Sequence, residues 1–566
     1  MNEHYQWKMA EPAAPELLAR FPELHPTVVQ LLANRDMTTQ EQVDRFLLPD
    51  YGQDQHDPYL FRDMHKAVAR IEQAIRRHEK IVIHGDYDAD GVCGSAVLYK
   101  TLQALGAEVD VYLPHRDTEG YGLNMHTVQS LHDIGTNLII TVDCGISNAP
   151  EIDEAVQLGM QVIVTDHHSQ PPVLPERACA VLNPKLVEET YPFKYLAGVG
   201  VSFKLSQALI RKHNLGEAFE KWMLDMVAIS TITDFVSLTG ENRVFVKYGL
   251  VVLRRNQRLG LRELFTVMGV EPQTATTETI AFKIGPHINA AGRVKHANMA
   301  FDMLVEEDAQ RAAEMAENLG KTNRERQQIS ERISKIAMVQ AEQQQNESVI
   351  VVEANECPVG LVGLVAGKIA SAFYRPTFVI TNMGGEIVGS GRSIEQFNLV
   401  DALQSMDELF RKYGGHPMAC GFSLKNPEAL EAFRQRMRAR ATEQLKDVDL
   451  RKSVHIECTL ALPAVDWTLI ETLEQFAPFG EGNPEPVFAS MDLVIDDISA
   501  IGKKGDHLRL KISHNGTRRS CIGFGLGEYA EQLKSGDHVD IVYTVGVNEW
   551  NGNREIQLVL KDLRKS

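Results

Sequence analysis

The stretch IVIHGDYDADG, residues Ile81 to Gly91, decides the fold because it reads as the end of a buried strand followed by a polar turn. The β-branched residues that open it are typical of a strand inside a sheet. His84, Asp86, Asp88 and Asp90 then stand at every second position. Carboxylates this close repel one another, so they require a bound cation or a solvated loop.

The length and composition indicate a large folded protein with several domains. A chain of 566 residues with 44% hydrophobic and 24% charged residues predicts about three or four soluble domains. The net charge of -18 restricts any nucleic-acid contact to local basic patches and suits bound divalent cations. Seven scattered cysteines without a C-x-x-C pair favour neither a zinc site nor a disulfide framework.

The amino terminus, MNEHYQWKMAEPAAPELLAR, has neither the basic start nor the apolar stretch of a signal peptide. No later segment approaches the roughly 18 apolar residues that a membrane span needs. We therefore expect a cytoplasmic protein that does not contact membranes.

Strands and helices alternate from about residue 60, which predicts a parallel α/β sheet covered by helices. Polar residues stand at the carboxyl ends of three of the strands: His84 to Asp90, then Asp143, then Asp166, His167 and His168. The carboxyl ends of parallel strands share one edge of a sheet, where ligands bind. Asp234, at the end of an apolar helix, supplies a further carboxylate.

The pattern changes three times along the chain and predicts a multidomain α/β architecture. A first α/β domain covers 47–305 after an amino-terminal segment at 1–46, and a long polar helix covers 306–345. A second, smaller α/β domain covers 346–447. Short strands and turns at 448–566 predict a small β-barrel.

The clustered side chains predict a site for two Mn²⁺ or Mg²⁺ ions, because these metals prefer carboxylate, imidazole and water ligands. Asp143, alone on the middle strand, is the candidate bridge between the ions. The alternative is that Asp88 and Asp90 only cap the following helix. The candidate ligands are His84, Asp88, Asp90, Asp143, His167 and Asp234.

Two neighbours of these ligands have other expected roles. Asp86 is expected to support the ligands from outside the coordination shell. His167 and His168 point to opposite sides of an extended segment, so only one is expected to bind a given metal. His168 then hydrogen-bonds the substrate phosphate or acts as a general acid, with a structural histidine as the alternative.

The second domain and the barrel carry candidate anion-binding segments. GSGRS and YGGHPMACGFSL combine glycines, which let the backbone approach an anion, with donors for phosphate oxygens. Ser390, Arg392, Gly414, Gly415 and His416 are the candidate substrate contacts, with tight turns as the alternative. In the barrel, a basic segment with Phe479 or Trp550 as stacking partners suits a single strand. A solvated face is the alternative for its basic residues: Lys503, Lys504, Arg509, Lys511, Arg518 and Arg519.

The motifs HGDYDADG, VDCG, TDHH and TDFVSLTGENR occur in the order and approximate spacing of the four motifs of DHH-family phosphoesterases. LNPK, LAGVGVSFKL, IGPHINAAGRV, GSGRS, KYGGHPMACGFSL and PFGEGNPEPVF resemble further blocks of the RecJ-type exonucleases in that family. The resemblance extends from about Leu47 to Leu563. It implies a DHH domain, a connecting helix, a DHHA1 domain and an OB-like barrel.

The resemblance also implies a function. RecJ-type enzymes degrade single-stranded DNA from 5′ to 3′, release 5′-mononucleotides, use Mn²⁺ or Mg²⁺, and act in DNA repair and recombination. The family's metal ligands fall on the same six candidates, with His168 near the scissile phosphate. Arg293 matches a family arginine and His287 stands where another is expected, so both are candidate substrate contacts. The implied partners are single-stranded DNA and single-strand binding protein, and the expected state is a monomer.

Two other functions remain open at this stage. One is a phosphoesterase for short oligonucleotides, cyclic dinucleotides or pyrophosphate, although such relatives generally lack the barrel. The other is a catalytically silent, replication-associated binding protein, which loss of a metal carboxylate would indicate. None of the candidate carboxylates is missing from this sequence.

Overall fold

The computed structural model describes residues 5–383, 385–550 and 552–566. The chain divides into two compact units. One joins residues 1–50 to residues 451–566, and the other comprises residues 51–450. Helices and strands are numbered in chain order.

The amino-terminal residues form a strand and short helices rather than a loose tail. Thr39 begins the third helix with a capping box, in which its hydroxyl accepts from the Gln42 backbone N–H. The elements are β1 (Tyr5–Met9), α1 (Pro15–Arg20), α2 (Pro26–Ala33) and α3 (Gln40–Leu47).

The first domain contains the predicted parallel sheet, in the order β3-β2-β4-β5-β6. Every residue of the two central strands β2 and β4 is buried, as their apolar sequences predict. The elements are a 3-10 helix (Pro58–Leu60), α4 (Met64–Arg77), β2 (Ile81–Gly85), α5 (Ala89–Ala104), β3 (Val109–Tyr112), α6 (Met125–Asp133), β4 (Leu138–Val142), α7 (Ala149–Gln157), β5 (Gln161–Thr165) and β6 (Ala180–Leu182).

A helical half completes this domain and shares one hydrophobic core with the sheet. Its elements are α8 (Gly198–Lys212), α9 (Glu217–Trp222), α10 (Leu224–Thr233), α11 (Gly240–Arg255), α12 (Leu259–Met268), a 3-10 helix (Pro272–Thr274), α13 (Thr277–Thr279), a π-helix (Ile280–Ile284), α14 (Gly285–Val294) and α15 (Asn298–Val305).

A single long helix, α16 (Ala309–Glu342), follows where the sequence predicts a polar connecting helix. Its first half packs Ala316 and Leu319 into the core of the first domain. Its second half packs Ile333 and Ala337 into a core of the second domain. The helix is therefore held at both ends.

The second domain is a five-stranded mixed sheet in the order β10-β11-β9-β8-β7. Only β7 and β8 run parallel in it. The GSGRS and GGH segments lie in strands β9 and β10. The elements are β7 (Ile350–Glu353), α17 (Val359–Phe373), β8 (Thr377–Met383), β9 (Glu386–Arg392), α18 (Leu399–Gln404), a 3-10 helix (Asp407–Leu409), β10 (Phe410–His416), β11 (Ala419–Leu424) and α19 (Ala429–Gln444).

The carboxyl-terminal strands form a closed barrel, because β14 pairs with both β15 and β17 while β18 joins β16 to β17. The predicted multidomain α/β class with a terminal barrel is confirmed. The elements are β12 (Lys452–Ile456), β13 (Cys458–Thr459), a 3-10 helix (Leu462–Ala464), α20 (Trp467–Phe476), β14 (Phe488–Ile501), β15 (His507–His514), β16 (Thr517–Gly523), α21 (Tyr529–Gln532), β17 (His538–Trp550) and β18 (Asn553–Lys565).

The amino-terminal segment packs on this barrel, which the sequence pattern does not reveal. Strand β1 pairs in parallel with β12. The indole N–H of Trp7 donates to Asp562 at 2.8 Å, and the Arg564 guanidinium lies 4.1 Å from the Trp7 ring centroid. Among the described residues, every helix is too short or too polar to cross a lipid bilayer.

The first domain also contains a fully buried ion pair away from the polar sheet edge. Lys204 Nζ lies 2.5 Å from the Glu241 carboxylate and donates to the His56 carbonyl at 2.9 Å. The Tyr191 hydroxyl donates to the other Glu241 oxygen at 2.5 Å. Burial lowers the pKa of Lys204, although Glu241 favours its charged form.

We predict that Glu241→Gln lowers the free energy of unfolding by about 3–5 kcal/mol, because the buried Lys204 ammonium loses its counterion. Urea denaturation followed by circular dichroism measures the change. The double variant Lys204→Met, Glu241→Gln should recover most of the loss. An unchanged urea midpoint in Glu241→Gln would contradict the prediction.

Candidate metal centre

The carboxyl edge of the first-domain sheet collects the candidate ligands from four parts of the chain. The loop after β2 supplies Asp86, Asp88 and Asp90, and the residue after β4 is Asp143. His167 and His168 follow β5, and Asp234 ends helix α10. Asp143 has a φ of 61°, so the chain turns sharply where this side chain leaves the strand.

The donor atoms form three overlapping groups, each with all atoms within 4.8 Å of one another. One contains Asp86, Asp88 and Asp143. The second contains Asp90, His167 and Asp234. The third contains Asp143, His167 and His168.

His167 is the residue that two of these groups share. Its Nε2 lies 3.2 Å from Asp143 Oδ1, 3.5 Å from Asp234 Oδ2 and 3.7 Å from Asp90 Oδ2. Ligands at right angles around an ion with bonds of about 2.1 Å would be about 3 Å apart. Asp143 reaches both sides of the cluster, as expected of a bridging carboxylate.

Several donor atoms at this edge are buried without a hydrogen-bond partner. They include Asp86 Oδ1, Asp143 Oδ1, His167 Nε2 and Asp234 Oδ2. Buried polar atoms without partners are costly, and carboxylate oxygens that face one another cannot satisfy each other. Divalent cations would satisfy such atoms, so the residues present fit Mn²⁺ or Mg²⁺.

The electrostatics of the cluster point the same way. Burial and mutual repulsion among the carboxylates raise the pKa of Asp86, Asp88, Asp143 and Asp234. Burial lowers the pKa of His167 to about 4, which leaves its imidazole neutral. Neutral imidazole is the form that binds a metal.

His84 stands apart from the other predicted ligands. Its Nε2 is buried without a partner, but none of the three groups of donor atoms found among the described residues includes it. Its Nδ1 lies 3.7 Å from Cys144 Sγ, and its ring stacks on Tyr112. Asp86 instead lies beside Asp88 and Asp143. Strand β2 ends at Gly85, so the alternation of side chains does not continue from His84 into the loop.

Asp88 and Asp90 combine helix capping with membership of the cluster. Asp88 Oδ1 accepts from the backbone N–H groups of Asp90 at 2.8 Å and Gly91 at 3.3 Å, so it caps α5. Asp90 accepts from the N–H groups of Gly198 at 2.6 Å and Val199 at 2.9 Å, at the start of α8. A side chain at position 198 would clash, since its Cβ would lie 2.6 Å from Asp143 Cβ.

His168 is fixed by two residues to which the sequence assigns no role. Its Nδ1 lies 2.8 Å from Asp166 Oδ1 and 3.0 Å from the Tyr121 hydroxyl, which donates to the Asp143 carbonyl. Burial alone would lower the pKa of His168, but the Asp166 hydrogen bond raises it. Tyr121 stands between two glycines, Gly120 and Gly122, each with a φ of 79°. This GYG pattern is the sequence signal that could have revealed the role of Tyr121.

Four arginines converge beside the cluster, where the first domain, the connecting helix and the second domain meet. Arg293 donates to the Gly360 carbonyl at 2.7 Å. Burial and the charges of Arg116, Arg326 and Arg392 lower the pKa of Arg293 to about 10. A concentration of like charges at a half-buried position is typical of an anion site. Arg116 and Arg326 are absent from the sequence-based prediction.

The candidate residues of the second domain occupy two strands. Arg392 Nη1 donates to Ser390 Oγ at 3.1 Å and to the Gly391 carbonyl at 2.8 Å. Gly414, Gly415 and His416 are exposed on β10. Partial burial and the positive charges of His168 and Lys185 lower the pKa of His416.

Lys185 is a further residue that the sequence does not single out, although it lies in the LNPK segment. Its backbone N–H donates to Asn183 Oδ1 at 2.8 Å. The same buried Asn183 side chain donates to the His168 carbonyl at 2.9 Å. Asn183 thus fixes the exposed Lys185 close to His168.

His287 makes structural contacts. Its Nδ1 lies 2.7 Å from the Lys283 carbonyl, and its Nε2 lies 3.2 Å from Asn323 Nδ2 on the connecting helix. Burial and the charges of Arg326 and Arg324 lower its pKa.

The basic residues of the barrel differ in their contacts: some are exposed and others are paired within the barrel. Arg509 and Lys511 are exposed on β15, where they alternate with core leucines. Arg519 donates to the Val465 carbonyl, and Arg518 pairs with Asp496 at 3.3 Å. Phe479 is partly buried against the barrel core. The side chain of Trp550 lies outside the described part of the chain.

Comparison with known proteins assigns the chain in two stages. The family models for the DHH family, N-terminal domain, the DHHA1 domain and the RecJ OB domain match residues 80–231, 346–443 and 456–562. These matches define a DHH phosphoesterase with a DHHA1 domain and an OB domain.

Individual relatives identify the family more narrowly than the domain models do. The single-stranded-DNA-specific exonuclease RecJ of Bacillus subtilis (strain 168) is 38% identical over 98% of this chain and 70% of that protein. RecJ of Dickeya dadantii (strain 3937) is 32% identical over 97% and 98%. The crystal structure of RecJ in complex with Mn²⁺ from Thermus thermophilus superposes with a TM-score of 0.84 at 31% identity, covering 100% of this chain and 80% of that one. The chain belongs to the RecJ family, and the predicted resemblance is confirmed.

We predict that Asp86→Asn weakens Mn²⁺ binding by at least about tenfold, because it removes one charge from a three-carboxylate group. Asp143→Asn should weaken binding more, since Asp143 serves both sides of the cluster. Isothermal titration with MnCl₂ measures affinity and stoichiometry. Asp110→Asn, at an exposed carboxylate paired with Lys80, is the control and should leave the affinity unchanged. A loss in His84→Gln as large as in Asp86→Asn would show that His84 binds the metal as well. An unchanged affinity in Asp143→Asn would contradict the prediction.

Proposed function

We propose that this chain is a 5′ to 3′ exonuclease on single-stranded DNA that releases 5′-mononucleotides and depends on Mn²⁺ or Mg²⁺. The observation that carries the proposal is the convergence of partnerless carboxylate and imidazole atoms beside a cluster of arginines. Family membership supports it, since the relatives are named single-stranded-DNA-specific exonucleases. A role in DNA repair and recombination goes with the family.

In this proposal, one ion would be held by Asp86, Asp88 and Asp143, and a second by Asp90, His167 and Asp234, with Asp143 between them. When bound, such ions lower the pKa of a water and neutralise charge on the phosphate. Asp88 and Asp90 keep their geometry because backbone N–H groups also hold them. Asp166 and Tyr121 fix the His168 ring, so its Nε2 donates to a phosphate oxygen or to the leaving 3′ oxygen.

The polarity of the reaction follows from where a terminal phosphate can bind. Arg116, Arg293 and Arg392, with the Ser390 hydroxyl, would hold a 5′-phosphate through charge-assisted hydrogen bonds. Arg293 already donates one N–H to the Gly360 carbonyl, which fixes the direction of its guanidinium group. A 5′ end held there puts the first phosphodiester bond at the metal cluster.

The remaining residues guide the strand. Gly414, Gly415, His416 and Lys185 would flank the backbone near His168. In this proposal, His287 holds the connecting helix and does not contact the substrate. Arg509 and Lys511, which are exposed on the barrel, would contact phosphates of single-stranded DNA.

Several wider assignments belong to the same proposal. The domain boundaries at 47–305, 306–345, 346–447 and 448–566 follow the sequence pattern. A monomer in the cytoplasm, with single-strand binding protein as a partner, follows from the family resemblance. The barrel disfavours a phosphoesterase restricted to short oligonucleotides, and the intact set of carboxylates disfavours a silent binding protein.

We predict that the purified protein with Mn²⁺ converts a 5′-labelled 30-mer into labelled mononucleotide. Asp143→Ala should lower the rate at least about 100-fold, because it removes the shared ligand. Asp110→Ala, at an exposed carboxylate paired with Lys80, is the matched control and should match the unmodified protein. Failure to degrade any single strand, or faster hydrolysis of a dinucleotide than of the 30-mer, would reject the proposal.

A second prediction concerns the 5′ end. Arg392→Gln should reduce the preference for 5′-phosphorylated over 5′-hydroxyl DNA, as a ratio of kcat/KM values, by about 10- to 100-fold. Arg375→Gln is the control from the same domain, because Arg375 donates to the Tyr374 carbonyl in its own turn. An unchanged ratio in Arg392→Gln would show that the terminal phosphate binds elsewhere.

A further inference from the structure

Two large aromatic side chains are exposed close to the metal cluster. Phe235 is 71% exposed and Tyr195 is 59% exposed. Aromatic rings normally contribute to cores or interfaces, so rings left in water on loops that carry a reactive site indicate a binding surface.

Both rings are tied to candidate metal ligands through the chain. Phe235 directly follows Asp234 and has a φ of 55°, a left-handed conformation that is uncommon for a bulky residue. Tyr195 lies shortly before Gly198, whose N–H donates to Asp90 at 2.6 Å. Each ring is therefore carried by a segment that also holds or contacts a residue of the cluster.

A buried asparagine joins the two loops that carry these rings. The Asn242 side chain is fully buried, and its Nδ2 donates to the Tyr195 carbonyl at 2.6 Å and to the Ser237 carbonyl at 2.9 Å. One amide group thus fixes both loops to the start of helix α11.

Phe193 braces the same surface. Its ring lies 5.7 Å from the Tyr195 ring in an edge-to-face arrangement. It also packs on Gly240, where a Cβ would lie 2.7 Å from the Phe193 ring. The exposed Tyr195 ring is thus held from one side by Phe193.

We propose that Phe235 and Tyr195 form a stacking platform for the nucleobases of the single strand next to the cleaved bond. The inference rests on the proposed nuclease function and names the part of the substrate that this surface binds. Stacking suits an enzyme that degrades any sequence, because every base offers a π-face.

The neighbourhood favours a nucleic acid over a protein as the occupant. Asn183 bonds both the His168 carbonyl and the Lys185 backbone N–H, so an exposed cation for phosphate lies at the same sheet edge. A phosphate contact beside aromatic rings matches the alternation of charge and base along a single strand.

The test compares kcat/KM on 5′-phosphorylated 20-mers that carry one abasic tetrahydrofuran residue at position 1, 2 or 3 from the 5′ end. The proteins are the unmodified chain, Phe235→Ala, Tyr195→Ala and Phe235→Trp. Ile134→Ala is the control, since Ile134 is 54% exposed and precedes strand β4 at the opposite edge of the sheet.

On unmodified DNA, Phe235→Ala and Tyr195→Ala should each lower kcat/KM by about 5- to 100-fold. The unmodified protein should lose a similar factor on one abasic substrate, and the alanine variants should lose little more on that substrate. Phe235→Trp should retain the sensitivity to the missing base. The control should behave like the unmodified protein.

Two outcomes overturn the platform. One is an additive loss, in which the alanine variants stay fully sensitive to every abasic position. The other is a loss of Mn²⁺ binding in Phe235→Ala, by isothermal titration, which would assign the ring to the support of Asp234. If the unmodified protein cleaves no single strand, the proposed function fails instead. Binding of labelled 20-mers and their abasic forms to Asp143→Ala then decides the platform alone.

Discussion

The mutual repulsion of buried carboxylates is the constraint on which the first domain depends. Asp86, Asp88, Asp90 and Asp143 meet at one sheet edge together with Asp234. Backbone N–H groups offset part of the repulsion, since α5 begins on Asp88 and α8 begins on Asp90. Two carboxylates of the cluster thus accept from the first backbone N–H groups of two helices. Bound cations would neutralise the negative charge that remains.

The sequence predicts the class, the central strands and most of the cluster, because buried parallel strands have an unmistakable apolar pattern and their ends converge. Its order for His84 and Asp86 stays a prediction, since the alternation that holds inside β2 ends at Gly85 and does not rank the two side chains. No local pattern distinguishes a side chain within the coordination shell from one behind it once the chain leaves the strand.

The other omissions share a cause. Arg116, Arg326, Tyr121 and Lys185 act through neighbours that are distant in the sequence, such as Arg293 and His168. Each alone resembles an ordinary surface residue. The arginine cluster exists only because α16 packs one half on each domain, a tertiary fact that hydrophobic periodicity cannot reveal.

The attachment of the first residues to the barrel has a consequence for biosynthesis. The Trp7 indole donates to Asp562, a partner 555 positions away, so this unit cannot assemble until the strand that carries Asp562 has been synthesised. The intervening residues 51–450 have their own cores and can fold first. Until then the apolar faces that α2 and α3 bury against the barrel have no partner in their own unit.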